Sequence, residues 1–508
     1  MCLLRFRQLY NILTLWPLSK TLRYFYSMRF VASFIVVAGI ALVMLFGASC
    51  KKQRMLTTGG VLKFSVDTLK FDTVFTAAGS YTNWVLIYNP QNEEVTLSSV
   101  RLQNGANSYF HLNVDGFKGN NVPNIKIAPH DSVYVFATVN INPSDTLTPF
   151  IVTDQLIATL NGKDFSIPFT AFGQNAHYII GDSLSVNTNW LTDKPYVVIH
   201  TCVVGPNCIL NIPRGCRVYM HQDAQFVIYN TLNVGLTPSS SPDSVVFQGD
   251  RLDRAYFGYI GYPGEWGGLW FVSSGISTGN ISHAVFKNCG GGVQYYYYSI
   301  IPAAIRVDTT AVVNMDHTVI ENSISLGILG FQGTVNGSNC LVKTTGGQAL
   351  AISLGGTDSF VNCTFVNYGT GQVNHASAAT VAILDYYSPD AKNFYYSNLN
   401  AVLRNCIVYG SLDSEIICDT SFSPAGTKAS LTLDNCLLKM GTVREPFVHF
   451  NSCIFNKDPQ FRNSAGGDFH ISAASPAAGA GLTTPGIITD LEGKNWASPP
   501  DIGCYRSE

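Results

Sequence analysis

The chain has 508 residues, 46% of them hydrophobic and only 13% charged, with a formal net charge of −2. That length exceeds one small core, and the low charge with 45 Gly and 25 Tyr points to an all-β extracytoplasmic protein. Charge also excludes a nucleic-acid groove, because residues 1–49 hold five basic groups and no acid, and the remainder carries 26 basic against 33 acidic groups.

Residues 30–49 form a 20-residue apolar run after Arg29, ending Gly47-Ala48-Ser49-Cys50. At ~1.5 Å per residue such a run is long enough to span a bilayer. The alternative is a cleaved signal, residues 1–49, with Cys50 as the lipidated residue. Small residues ahead of a Cys, followed by Lys51-Lys52-Gln53-Arg54, resemble a bacterial lipobox, with Gly47 where Leu is usual. Met28 stands where such a signal would start, which makes 1–27 an upstream start-site artefact or a long leader. Residues 50–60 read as a lipidated tether.

From 61 to 174 the pattern becomes short alternating strands, expected at 61–66, 70–75, 83–88, 95–102, 109–114, 132–141, 155–160 and 165–172. Asn161-Gly162 between two such runs is a two-residue hairpin signal. Seven or eight strands in this span predict an immunoglobulin-like β-sandwich. The runs beginning Phe71-Asp72, Trp84-Val85 and Ile125-Lys126 resemble bacterial immunoglobulin-like domains of the abnormal-spindle and hydin group, which implies a spacer or adhesion module. His111 and His130 stand alone and read as surface positions.

A second pattern runs through 175–508. An apolar-x-apolar-x-Asn-Cys phrase recurs at Asn288-Cys289, Asn339-Cys340, Asn362-Cys363, Asn405-Cys406 and Asn435-Cys436, with Asn322-Ser323 and Cys453 as variants. Loose periodicity of strand-like phrases, without amphipathic crossover helices, predicts stacked β-coils. Asn tolerates a left-handed backbone at a corner, and Cys serves as a small buried hydrophobe. These residues are therefore expected as one structural ladder. Cys202, Cys208 and Cys216 are close enough in sequence for one disulfide, and no spacing predicts a metal or cofactor site.

The stretch Gly249-Asp250-Arg251-Leu252-Asp253-Arg254, then Glu265-Trp266-Gly267-Gly268, resembles right-handed parallel β-helix proteins of Bacteroidetes-type bacteria in the pectin-lyase-like superfamily. Residues 457–508, closing with Pro500-Asp501-Ile502-Gly503, resemble a choice-of-anchor capping segment, with Cys504 and Arg506 as departures. The resemblance implies an all-β chain, an immunoglobulin-like sandwich followed by a right-handed parallel β-helix, and leaves activity open.

Three functions fit. A polysaccharide lyase or hydrolase needs clustered carboxylates and cations, and Asp250, Asp253, Glu265, Arg251 and Arg254 are the candidates, against a structural Asp250–Arg254 pair. A carbohydrate-binding protein needs exposed rings, and Tyr256, Tyr259, Tyr262, Trp266, Tyr295 and Tyr297 are the candidates, with Tyr386-Tyr387 and Phe394-Tyr395-Tyr396 beside them. A surface-architecture protein needs only the anchored rod. The reading favoured here is a non-catalytic, lipid-anchored envelope protein of the bacterial outer membrane, facing either the periplasm or the outside. Its expected partners are the membrane and a polysaccharide or envelope protein, with no nucleic acid.

Overall fold

In the computed structural model the described residues are 54–75, 79–141, 150–236, 243–252, 261–292, 301–441 and 445–508. They are all-β, with short 3-10 turns and no helix long and apolar enough to cross a membrane. Cys50 and the apolar run before it lie outside the described residues.

The first unit is a pair of five-stranded sheets sharing one apolar core. One sheet orders Lys63–Phe64, Asn83–Tyr88, Ser132–Val139, Phe110–Val114 and Phe117–Lys118. The other orders Leu69–Phe75, Lys163–Gln174, Phe150–Leu160, Val95–Leu102 and Asn121–Ile127. Period-two alternation explains the core: Val85 and Ile87 point inward, while Trp84 and Tyr88 point out. Asn161 and Gly162 both take positive φ, 48° and 80°, and join Phe150–Leu160 to Lys163–Gln174 as a tight hairpin. Asn121–Ile127 and Phe117–Lys118 were not among the expected strands. Pro123, Gly116 and Gly119 interrupt the alternation that would have marked them.

From His177 onward every long ladder is parallel, compatible with a parallel β-helix. The chain visits three ladders in turn, here A, B and C. Ladder A passes through Tyr196–Ile199, Arg217–Met220, Val245–Gly249, 284–287, 318–321, Leu341–Thr345 and Thr364–Asn367 to Ile454–Phe455. Ladder B passes through Thr201–Val204 and Gln225–Ile228 to Ile416–Asp419. Ladder C passes through Ile209–Ile212 and Thr231–Val234 to Val448–Asn451. Compact coils repeat every 22 residues, and longer ones carry their extra residues as loops at the corners. The single interior is filled by inward residues such as Phe226, Phe247, Phe286 and Phe360. Phe247 and Phe286 stack at 4.8 Å on successive coils.

The repeat phrase marks two corners, which corrects the expectation of one ladder. Asn288 and Asn322 turn the chain from A to B, where Asn322 Nδ2 donates to Asn288 Oδ1 at 2.7 Å. Asn339, Asn362, Asn405 and Asn435 turn it from C to A, all with φ near 50°. His283 and His317 hold the same left-handed position in earlier coils, with φ of 47° and 43°. Cys340, Cys363, Cys406 and Cys436 follow the C-to-A corner and are buried, whereas Cys289 belongs to the other corner. All eleven cysteines in the described residues are free. The bridge considered among Cys202, Cys208 and Cys216 is absent, and Cys208 and Cys216 instead donate to the carbonyls of Val186 and Leu191.

Both ends of ladder A are covered on the outside. Phe75 of the first unit packs on Val197 and Tyr219, its ring 4.6 Å from that of Tyr219. Residues 457–508 fold back over the later coils, where Phe469 and Cys504 meet Leu341 and Val366, and Ile471, Ala477 and Ile502 meet Ile407 and Leu437.

Candidate functional site

The covering of ladder A leaves a window between its two ends. Lys287, Glu321 and Lys343 stand there on consecutive coils, because parallel pairing sets Lys287 beside Glu321 and Glu321 beside Lys343. Glu321 accepts from Lys287 Nζ and Lys343 Nζ, both at 3.0 Å. Burial raises the Glu321 pKa, but the two ammoniums outweigh it and hold the carboxyl below its ordinary value. The carboxylate is therefore ionised at neutral pH and the trio keeps one surplus positive charge. A groove of about 480 Å³ opens over it, lined also by Gly261, Asn288, Asn322, Thr344, Thr370 and Gln372.

Of the expected catalytic group, Asp253 and Arg254 lie outside the described residues. Asp250 accepts from His221 Nδ1 at 2.7 Å, one coil earlier. Arg251 places its guanidinium over the Tyr81 ring of the first unit, 5.5 Å from its centroid. Glu265 is buried; Tyr262 N–H and Asn288 Nδ2 donate to its two oxygens at 3.1 and 3.2 Å. It closes the return of the 249–265 loop. The later acids do not join these two. Asp308 holds Trp270 Nε1 and Arg306 Nε, each at 2.7 Å; Asp316 holds His317 and Ser338; Asp385 accepts from Ser423 at 2.7 Å.

The expected sugar-binding rings fare differently from one another. Tyr256, Tyr259, Tyr295 and Tyr297 lie outside the described residues. Tyr262 is exposed. Trp266 is a core residue, fully buried, with Nε1 donating to Lys287 O at 2.8 Å; that corrects its assignment as a sugar platform. Its small neighbours Gly267 and Gly268 bring the loop back inside, so the ring ends up beneath the strands.

A ring cluster that does reach solvent stands where ladder B turns to C. Tyr386–Tyr387 and Tyr395–Tyr396 form a short antiparallel hairpin, and their register puts Tyr386 beside Tyr396 on one side. Phe422, from the matching loop one coil later, stacks on Phe394 at 4.2 Å and 8°, and meets Tyr386 edge-on at 5.0 Å. Tyr396 and Phe422 are each about half exposed, at 51% and 52%. Tyr386 donates its hydroxyl to Asp419 at 2.6 Å, tying the two loops together. Asp390 caps the hairpin turn by accepting from Lys392 N, Asn393 N and Asn393 Nδ2. Alternation lets at most every second ring of a strand share a face, so sequence named these tyrosines but not the partnership with Phe422.

One further ladder was missed. Asn189, Asn211, Asn233, Asn280, Asn314 and Asn336 face outward on ladder C, and each after Asn189 donates Nδ2 to the Oδ1 before it at 2.7–3.2 Å. The apolar-Asn-apolar triplets were visible, but irregular loops hid their shared register.

No protein family matches the sequence, and no curated protein matches it. Among solved structures, a family 123 glycoside hydrolase from Clostridium perfringens, described for glycolipid glycan hydrolysis, is similar over 22% of this chain and 26% of that one. The identity is 9% and the TM-score 0.17, and this chain covers about a quarter of that enzyme. A superposition of that score does not establish a shared fold.

Proposed function

We propose that this chain is a lipid-anchored envelope protein that binds glycan without cleaving it. In this reading Cys50 carries the anchor in a bacterial outer membrane, residues 61–174 are an immunoglobulin-like spacer, and residues 175–508 are a right-handed β-helix with a C-terminal cap. The carrying observation is the exposed Tyr396–Phe422 cluster, held by the Phe394 stack and the Tyr386–Asp419 hydrogen bond. Rings fixed in advance stack on the CH faces of a sugar at little entropic cost. The carboxylates that were candidates for catalysis and are described each hold a local structural partner, which favours binding over hydrolysis.

Affinity electrophoresis against a set of soluble polysaccharides tests the binding. Retardation by at least one, weakened by Phe422→Ala and Tyr396→Ala, is the expected result; unchanged mobility with every polymer would sink the reading. Palmitate labelling should disappear in Cys50→Ala, and labelling that persists there rejects the anchor.

One observation favours cleavage instead. Gly261, in the 249–265 loop, rims the groove over Lys287, Glu321 and Lys343. New reducing ends or unsaturated products, lost in Lys287→Ala, would establish the lyase or hydrolase alternative.

A further inference from the structure

The outer face of the sheet containing Asn83–Tyr88 carries a row of side chains that the expected spacer role does not use. Cross-strand pairing places Trp84 opposite Phe136, Phe136 opposite Asn113, and Asn113 opposite Lys118. Directly paired residues share a face, so the four run in one line across four strands. At ~4.8 Å per strand the line is about 14 Å long. Trp84 and Phe136 are exposed at 44% and 36%, and Tyr134 beside them at 48%.

Three observations define what the row fits. First, the rings have no opposing layer among the described residues. Tyr134 lies parallel to Phe136 at 5.5 Å and 9°, while Trp84 turns 65° from Tyr134 at 5.5 Å. This is a step, not a plate. A flat crystalline polymer surface needs coplanar rings; a single twisted chain fits a step. Second, a groove of about 840 Å³ continues the row, lined by Thr82, His111, Asn113, Lys118, Asn120 and Thr138. No carboxylate lines it, and its polar groups are hydroxyls, amides, one imidazole and one ammonium. Third, Asn113 Oδ1 is buried without a hydrogen-bond partner. Asn113 lines the groove, so a turn of its amide about χ2 brings this unpartnered acceptor to the surface, where a sugar hydroxyl supplies the donor.

We propose that this face is a second glycan-binding surface, taking a single soluble chain of neutral pyranose sugars across the strands. Sugar CH faces seat against Trp84 and the Tyr134–Phe136 ridge, and hydroxyls reach Asn113 Oδ1 and Lys118 Nζ. It is separate in position and composition from the Tyr396–Phe422 cluster, so either can fail without the other. If both bind one polymer, attachment becomes bivalent and its avidity exceeds that of either surface alone.

The test uses the full chain and its Tyr396→Ala/Phe422→Ala variant, so that this face is read alone. Affinity electrophoresis is run in laminarin, xylan and galactomannan, with microcrystalline cellulose pull-down and polygalacturonate as comparators. At least one soluble neutral glycan should retard the variant. Adding Trp84→Ala should weaken that retardation tenfold or more, with Asn113→Ala giving a smaller loss. Thermal melts check that the substituted chains remain folded. Intrinsic fluorescence should shift on titration with the same glycan, and the shift should vanish in Trp84→Phe. Retardation that survives Trp84→Ala/Tyr134→Ala, absence of retardation in all three, or binding confined to cellulose or polygalacturonate overturns the proposal.

Discussion

Asp250 accepts a hydrogen bond from His221 Nδ1 at 2.7 Å, across one coil of the stack. The pair fastens the start of the 249–265 loop to the coil before it. The Asp250 hydrogen bond raises the His221 pKa, and burial opposes it more weakly. A raised histidine pKa stabilises the fold below the unfolded value, and the gain is lost as pH rises through the folded value. Asp250→Asn should therefore destabilise at pH 5 and change little at pH 9. The side chain of His221 is 45% exposed, so the effect should stay below about 1 kcal/mol. Thermal melts at the two pH values measure it.

Asp358 provides the opposite case. It lies inside the coil stack, accepts from Val335 N at 3.0 Å, and leaves Oδ2 without a partner. Burial pushes its pKa up to about 8. Between the unfolded value and about 8 the folded state holds a proton that the unfolded state has lost, so this group lowers stability as pH rises. The limiting slope is ~1.4 kcal/mol per pH unit. Asp358→Asn should remove that slope, and denaturant unfolding at pH 5 and pH 8 reads it directly. Equal slopes in the two proteins would reject a protonated Asp358.

His375 and Glu415 form a fully buried pair at 3.0 Å, below the 367–380 loop that rims the ladder A groove. Glu415 also accepts from Thr380 N, Thr380 Oγ1 and Leu412 N. Burial raises its pKa, but these donors prevail and hold it below the ordinary value. That stabilisation exists above the unfolded carboxylate pKa and is lost as pH falls through the folded one. Glu415→Ala strands several buried donors and should cost about 3–5 kcal/mol. Hydrogen exchange should locate the loosening at 367–380 and 410–416.

Asn405 links a corner to the C-terminal segment. It has φ of 52°, donates to Asn362 Oδ1 and Leu482 O, and accepts from Leu482 N. Asn405→Gly keeps the backbone and loses the bonds; Asn405→Ala loses both. Urea unfolding should rank wild type above Gly, and Gly above Ala by ~1 kcal/mol, the cost of a left-handed L-residue.

The thiols give a fifth check on the fold. Ten of the eleven described cysteines are buried and Cys453 is half-buried. Burial pushes Cys202 and Cys289 up to about 12. Of the eleven described thiols, a reagent should modify no more than Cys453 in the native protein, whereas in denaturant the rest should react.

Local chemistry made much of this architecture readable. Alternation marked strands such as Asn83–Tyr88, Asn161-Gly162 marked its hairpin, and Asn-Cys marked coil corners, because each depends on the backbone within a few residues. Which corner an Asn occupies was not readable, since Asn288 and Asn339 obey the same local rule on different edges of the coil. The same limit hid the functional surfaces. Lys287, Glu321 and Lys343 meet because coils of unequal length restore one register, and Trp84, Phe136, Asn113 and Lys118 align only through strand pairing. Trp266 stood among the candidate surface rings, yet its neighbours Gly267 and Gly268 carry it into the core. Sequence determined the repeating unit, because that unit is a local backbone preference. Tertiary structure decided which side chains share a face, because stacking converts distances of 22 residues and more along the chain into one strand spacing.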